Sequence, residues 1–163
     1  VKRQFIIKEH VAGKFTDLAG NEVLRLEQAI SFNNDTTYSF FGIATIQISN
    51  LDVEFVQDNR RFLSLSFPVK ALKSWDGNLF NDLDRQRFIY TSVNEPFSNG
   101  FINFENTTSV NKKDEITIIS EKTQNYVYGK GYGLVEKDIS NIDIDGAKKD
   151  GFKIVWKLES LVP

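Results

Sequence analysis

The run Leu51-Asp52-Val53-Glu54-Phe55-Val56-Gln57-Asp58-Asn59-Arg60-Arg61-Phe62-Leu63-Ser64-Leu65-Ser66-Phe67-Pro68-Val69 alternates apolar and polar side chains on both sides of a turn pair. Leu51, Val53 and Phe55 oppose Asp52 and Glu54. Beyond Asp58-Asn59, Leu63, Leu65, Phe67 and Val69 keep one parity against Ser64 and Ser66. A period of two with a polar corner predicts a β-hairpin with one buried face. Pro68 lacks an amide donor, which places it at an edge or a strand end.

The same grammar extends in both directions. Upstream, Val23 to Phe32 fits two periods. Leu24, Leu26, Ile30 and Phe32 alternate with Arg25, Glu27 and Ser31, whereas Val23, Leu26 and Ile30 fall at helical spacing. A strand is favoured because Asn33-Asn34-Asp35 reads as a turn and Thr36 to Ser49 supplies a partner with Tyr38, Phe40, Ala44, Ile46 and Ile48 on one parity. Gly42 within that run predicts a bulge. Gln4 to Lys8 and Val11 to Leu18 read as two further strands, followed by a turn at Ala19-Gly20-Asn21. Downstream, the alternation breaks between Lys70 and Arg87, where Leu79, Phe80, Leu83 and Arg87 share one face of at most one short helix near 79–87. Strands resume at Phe88–Thr91, Phe101–Phe104, Ile116–Ser120, Tyr126–Val135 and Phe152–Leu158, the last with Phe152, Ile154 and Trp156 on one parity. Turn clusters fall at Ser98-Asn99-Gly100, Asn111-Lys112-Lys113-Asp114 and Asp145-Gly146. Roughly nine to ten strands at spacings of about 8–15 residues predict an all-β fold, an antiparallel β-barrel or a β-sandwich. No βαβ alternation is present.

Length predicts about one domain over 1–163. The composition, 40% hydrophobic and 26% charged, is that of a soluble globular chain. With 20 basic and 22 acidic side chains there is no electrostatic case for a nucleic-acid partner. No apolar run approaches the ~20 residues of a membrane span. The absence of cysteine removes disulfides and thiolate chemistry, and a single histidine, His10, removes two-histidine metal sites within one chain. Without any methionine the chain reads as a processed or trimmed piece or as one whose first residue was removed, and an extracytoplasmic location, secreted or periplasmic, is the leaning. Phenylalanine alone numbers 14.

Two stretches carry the candidate site. Tyr126-Val127-Tyr128-Gly129-Lys130-Gly131-Tyr132-Gly133, read as one strand, puts Tyr126, Tyr128 and Tyr132 on one side and three glycines on the other. A bare side admits a bulky neighbour, a strongly curved sheet or a ligand. Trp75-Asp76-Gly77-Asn78, read as a loop, joins an indole to hydrogen-bonding groups; rings stack on sugar faces while Asp and Asn bind hydroxyls. Both stretches also have a purely structural reading, as accommodation of facing aromatics and as a Trp capping the core. Other constellations are weaker. Asp143-Ile144-Asp145-Gly146, with Asp138 and Asp150, lacks the EF-hand spacing. Asp52 with Glu54, and Asp82 with Asp84, are pairs that any acidic chain offers. Ser109-Val110-Asn111-Lys112 has the Ser-x-x-Lys spacing without partner motifs. Arg85 and Arg87 beside Phe88 and Tyr90 form a possible base-stacking platform in a chain of the wrong charge. The pairs Arg60-Arg61, Lys112-Lys113 and Lys148-Lys149 read as solvated turns, and Asn34-Asp35-Thr36 and Asn106-Thr107-Thr108 as sequons on turns.

Gly13-Lys14-Phe15, early in the chain and ahead of a series of hairpins, resembles the Gly-x-Trp of the lipocalin and wider calycin group, with Phe in place of Trp. The resemblance covers three residues, lacks the group's later motifs and serves as an architectural analogy for a calycin-like barrel.

The expectation is a non-catalytic binding domain, leaning away from an enzyme, with no cofactor and no metal. It would hold a small apolar molecule or a glycan in an aromatic-lined barrel pocket formed by Tyr126, Tyr128, Tyr132, Trp75, Asp76 and Asn78. The alternative is a structural, adhesion or assembly module with a protein partner or a second copy, and a barrel enzyme acting on carbohydrate or a small apolar substrate ranks third.

Overall fold

The structure is a computed structural model that describes residues 3–32 and 35–161, the side chains of 113–116 excepted. The expected turn at Asn33-Asn34 and the sequon asparagine Asn34 lie outside these residues. Eleven strands form: β1 (Phe5–Thr16), β2 (Glu22–Phe32), β3 (Ser39–Ile48), β4 (Asp52–Gln57), β5 (Arg60–Ser66), β6 (Ser74–Asp76), β7 (Arg87–Ser98), β8 (Asn103–Ile116), β9 (Ser120–Gly129), β10 (Gly133–Asp145) and β11 (Lys148–Lys157). The fold is all-β and antiparallel, with no helix among the described residues. The chain divides into two compact units, Val1–Phe67 with Gly77–Asp84, and Pro68–Asp76 with Arg85–Pro163.

The first unit is a five-stranded meander in the order β1-β2-β3-β4-β5. Its last hairpin is the one that Leu51–Val69 predicts. Asp58 and Asn59 take φ of 50° and 62°, the left-handed pair of a two-residue turn whose twist matches that of the flanking strands. The segments Gln4–Lys8 and Val11–Leu18 are not two strands but one, β1, with an irregularity between Val11 and Gly13 that absorbs the break in alternation. Its turn is closed by Asp17, whose Oδ1 accepts the amides of Ala19 and Asn21 at 2.9 and 2.8 Å. Those bonds hold the Asp17 carboxyl below its ordinary pKa, the Asn21 amide first among them. The bulge expected at Gly42 is present beside it. A polar relay crosses β3 at this glycine: Gln28 donates to Glu9 Oε1 at 2.6 Å, and Gln57 donates to Gln28 Oε1 at 3.4 Å.

The outer edge of β5 is occupied by 77–84. The Leu63 amide donates to the Gly77 carbonyl at 2.9 Å, and Asn81 Nδ2 donates to the Arg61 carbonyl at 2.9 Å. An edge satisfied in this way needs no further strand. No helix forms there, because Asn78 and Asn81 offer the backbone local bonds that compete with one: Asn78 Nδ2 donates to the Asp84 carbonyl at 2.6 Å and Asn81 Oδ1 accepts the Leu83 amide at 2.9 Å.

The second unit is a six-stranded meander in the order β11-β10-β9-β8-β7-β6. The strand order is linear in each sheet, so the barrel alternative and the calycin analogy are overturned; two separate antiparallel sheets are what the sandwich alternative requires. β5 and β6 belong to different sheets; in the chain between them Pro68 follows the end of β5 and Leu72 takes a φ of 66°.

Two expectations about turns fail for one reason. Asn111–Asp114 is not a turn: β8 runs through it and absorbs the polar residues in an irregularity between Lys112 and Glu115. The turn instead falls within the strand expected at Ile116–Ser120. There the Thr117 hydroxyl accepts the amides of Ile119 and Ser120 at 3.2 and 2.9 Å. A capping hydroxyl outweighs the apolar character of Ile118 and Ile119, both of which are exposed. Asn106-Thr107-Thr108 also lies inside β8 rather than on a turn.

The expected strand Tyr126–Val135 is likewise a hairpin, not one strand. Gly129 pairs with Gly133 across a loop of Lys130, Gly131 and Tyr132, and Gly131 and Gly133 take φ of 82° and 81°. Those two glycines serve the turn. Gly129 serves packing. A Cβ there would sit 3.0 Å from Val135 Cγ1 and 3.3 Å from Phe104 Cδ1, within the small core of Phe104, Val127 and Val135. Gly129→Ala is expected to cost about 1–3 kcal/mol by overpacking; thermal unfolding beside Gly131→Ala, which tests positive φ with open space around it, separates the two roles.

Candidate functional site

The register of the six-stranded sheet builds one continuous row. Tyr90 pairs with Val110, Val110 with Tyr126, Tyr126 with Lys137, and Lys137 with Trp156. Directly paired residues share a face, so five strands contribute to one line of side chains. Phe88, two residues before Tyr90, shares that face and pairs with Trp75 of β6. The rings touch in sequence: Trp75 to Tyr90 at 4.5 Å between centroids, Trp75 to Phe88 at 6.0 Å, and Phe88 to Tyr126 at 5.9 Å. The Lys137 ammonium lies 5.6 Å from the centroid of Tyr126 and 4.9 Å from that of Trp156, both within cation–π range.

The row changes character along its length. Tyr90 and Val110 are fully buried and Trp75 nearly so. Tyr126, Lys137 and Trp156 are half-buried. Burial pushes the Tyr126 phenol up to about 12, so it stays neutral and donates to Gln124 Oε1 at 2.9 Å. The inner end is core; the outer end, Tyr126–Lys137–Trp156, presents two rings and a cation at the surface.

The expected site residues separate accordingly. Trp75 and Tyr126 join the row. Tyr128, two residues on from Tyr126, shares its face and pairs with Thr108 and Leu134. Tyr132 does not: it lies in the hairpin loop, exposed, edge-on to Phe104 at 5.1 Å. Trp75 and Asp76 are not in a loop but adjacent in β6, so they face opposite sides of the sheet. Asp76 Oδ1 accepts the Gln86 amide at 2.9 Å. Asn78 belongs to the first unit, is buried, and donates from Nδ2 to the Asp84 carbonyl at 2.6 Å. Lys137 and Trp156 are the candidates that sequence reasoning missed, and Phe88 enters it only beside Arg85 and Arg87 as a base-stacking platform. The shared parity of Phe152, Ile154 and Trp156 was a signal for Trp156; Lys137 carried none, because nothing local shows which rings flank it.

Of the expected acid pairs, Asp52, Glu54 and Asp82 are engaged in structure. Asp52 Oδ1 accepts the Ser49 hydroxyl at 2.6 Å, and Asp82 lies 3.6 Å from Arg60. Glu54 is buried, with its carboxylate 3.3 Å from Arg61 Nε. Desolvation raises the Glu54 pKa above its ordinary 4.5; Arg61 opposes the rise, and the charges of Asp52 and Asp17 add to it. A carboxyl whose folded pKa is raised binds its proton more tightly folded than unfolded. Its contribution to stability is present at pH values below the ordinary 4.5 and is lost as pH rises through the raised value. Glu54→Gln removes that loss. The stability of wild type relative to Glu54→Gln is therefore expected to fall between pH 4.5 and pH 7, as read by urea unfolding across that range; a difference independent of pH contradicts this.

Among the described residues no three His, Cys, Asp or Glu side chains converge as a metal site, and no helix is long and apolar enough to cross a membrane. Comparison with family models, with curated proteins and with solved structures yields no match for this chain.

Proposed function

We propose that the chain is a non-catalytic binding domain and that the outer end of the ring row, Tyr126–Lys137–Trp156, is its saccharide-binding surface. The observation that carries this reading is the spacing. Tyr126 and Trp156 stand two strands apart in one register row, about 9.5 Å at the usual spacing between strands. Two linked pyranose rings span about that length, each resting an apolar face on one aromatic ring. The Lys137 ammonium between the rings supplies donors for hydroxyls, as a polar–apolar alternation demands. A plain acyl chain would leave that ammonium facing hydrocarbon, so the row favours a sugar over a lipid.

Calorimetric titration with cellotetraose, maltotetraose and tetragalacturonate tests the reading. At least one is expected to bind the wild-type chain, and Trp156→Ala is expected to weaken it at least fivefold, the equivalent of about 1 kcal/mol of stacking. Binding by none, or binding indifferent to Trp156, contradicts it.

A second reading, an assembly module, is favoured by Phe40, Phe41 and Ile43 of β3, which are 74%, 43% and 42% exposed. Apolar side chains grouped in this way mark contact surfaces. Sedimentation velocity separates the readings: a stable oligomer that dissociates in Phe40→Ser supports assembly, and a monomer at all concentrations removes it.

A further inference from the structure

The ring surface does not end at Trp156. Along β11, Ile154 and Phe152 precede Trp156 at steps of two and share its face, and the pairing of β11 with β10 runs through them without a shift. Three rungs therefore stand side by side. Trp156 pairs with Lys137 and, one strand on, with Tyr126 in line; Ile154 pairs with Ile139 and Phe152 with Asn141. The middle rung is half-buried and apolar. The third is open: Phe152 is 49% exposed, and Asn141 beside it is exposed too. It repeats the make-up of the first, an aromatic ring on β11 next to a hydrogen-bonding side chain on β10. The two spacings run in different directions. Tyr126 and Trp156 lie about 9.5 Å apart across the strands, whereas Phe152 lies four residues from Trp156, about 14 Å along one strand. The three rings thus mark a near-right angle with Trp156 at its vertex, and Ile154 and Ile139 floor the space inside it.

We infer that the saccharide this surface takes is branched: its main chain rests on Tyr126 and Trp156, and a side branch turns along β11 to stack on Phe152. The inference rests on the reading proposed above and adds the shape of the ligand to it. An extended chain that stacks on Tyr126 and Trp156 crosses the strands and leaves Phe152 uncovered. One laid along β11 leaves Tyr126 uncovered. A branch at the sugar over Trp156 covers all three rings. Ile154 takes the apolar face of the sugar that links Trp156 to Phe152. The Asn141 amide, donor and acceptor at once, meets the hydroxyls of the sugar whose ring face lies on Phe152.

The test is calorimetry of the full chain with two pairs of probes: cellotetraose with xyloglucan heptasaccharide, which keeps the same main chain and adds xylosyl branches, and maltotetraose with its 6-maltosyl-branched derivative. In at least one pair the branched member is expected to bind at least fivefold more tightly than the linear one. Phe152→Ala is expected to remove that gain and to leave the linear member unchanged, whereas Trp156→Ala weakens both. Asn141→Ala acts in the same direction as Phe152→Ala and serves if the latter does not fold. Val155→Ala, on the other face of β11, leaves all four unchanged. Equal affinities within each pair overturn the branched shape and leave the stacking surface standing. A gain that survives Phe152→Ala, or a loss of linear binding in that variant, overturns the place given to the branch. An equal loss in Val155→Ala and Phe152→Ala overturns the site. Binding of neither pair overturns the branched shape; tetragalacturonate binding that depends on Trp156 then leaves the stacking surface standing, and its failure removes both.

Discussion

Tyr90→Ala is expected to lower the unfolding free energy by about 3–5 kcal/mol, the usual cost of deleting a buried ring. Tyr90 is completely buried, its ring lies 4.5 Å from that of Trp75, and it pairs with the equally buried Val110. Its backbone also anchors the segment before β6: its amide donates to the Lys73 carbonyl at 3.1 Å and its carbonyl accepts the Leu72 amide at 3.0 Å. The cavity therefore opens beneath the Trp75 ring. In a Trp156→Phe background Trp75 is the sole indole, since the chain has two. There Tyr90→Ala should both lower the urea midpoint and shift the Trp75 emission to the red. A loss below about 1 kcal/mol, within the range of surface substitutions and modest repacking, contradicts the placement of Tyr90 in the core.

Asn99→Ala is expected to cost about 3 kcal/mol, large for a polar residue in a turn. Asn99 is almost wholly buried, and every hydrogen-bonding position of its amide is used. Nδ2 donates to the Leu158 carbonyl at 2.8 Å and to the Val135 carbonyl at 3.3 Å; Oδ1 accepts the amides of Phe101 and Ile102, both at 2.9 Å. One side chain thus ties the β7–β8 turn to the bulge of β10 and to the chain just after β11. Lys157 Nζ, 2.9 Å from the Asn99 carbonyl, adds a further tie. Each buried partner left unpaired costs about 1–3 kcal/mol, partly recovered by water. Asn99→Asp keeps an acceptor for the two amides but sets a carboxylate oxygen against two carbonyls, so it is expected to be no milder than alanine. Urea unfolding reads both variants. With m of about 2 kcal/mol/M, a loss of 3 kcal/mol moves the midpoint by about 1.5 M.

How far the sequence reveals this molecule depends on the range of the interaction. The hairpin at Asp58-Asn59, the bulge at Gly42 and the turn at Asp145-Gly146 are set by residues adjacent in the chain, and all are legible. The turn at Ser98-Asn99-Gly100 is legible too, but its energetic weight is not, because the partners of Asn99 lie 36 and 59 residues away. Misreadings arise where one local effect masks another. Thr117 caps a turn inside an apolar run, and the glycines of Tyr126–Gly133 turn the chain where alternation suggests that it continues. The barrel fails because closure is a property of strand order, on which alternation is silent.

The candidate site divides in the same way. Tyr126 is found by parity, and Trp75 by its composition in a stretch read as a loop. Their meeting through Phe88, and the lysine between Tyr126 and Trp156, depend on which strand pairs with which and in what register. A shift of one residue in β10 would send Lys137 to the opposite face and leave the two rings without their cation.

The most direct measurement is the pair of indole signals in a nitrogen–proton correlation spectrum recorded while tetragalacturonate is added. The Trp156 indole signal should move in a saturable way while that of the buried Trp75 stays fixed, and in Trp156→Phe the one remaining signal, that of Trp75, should also stay fixed. Movement of the Trp75 signal alone, or of neither with this or a neutral tetrasaccharide, would contradict a binding surface at the outer end of the ring row.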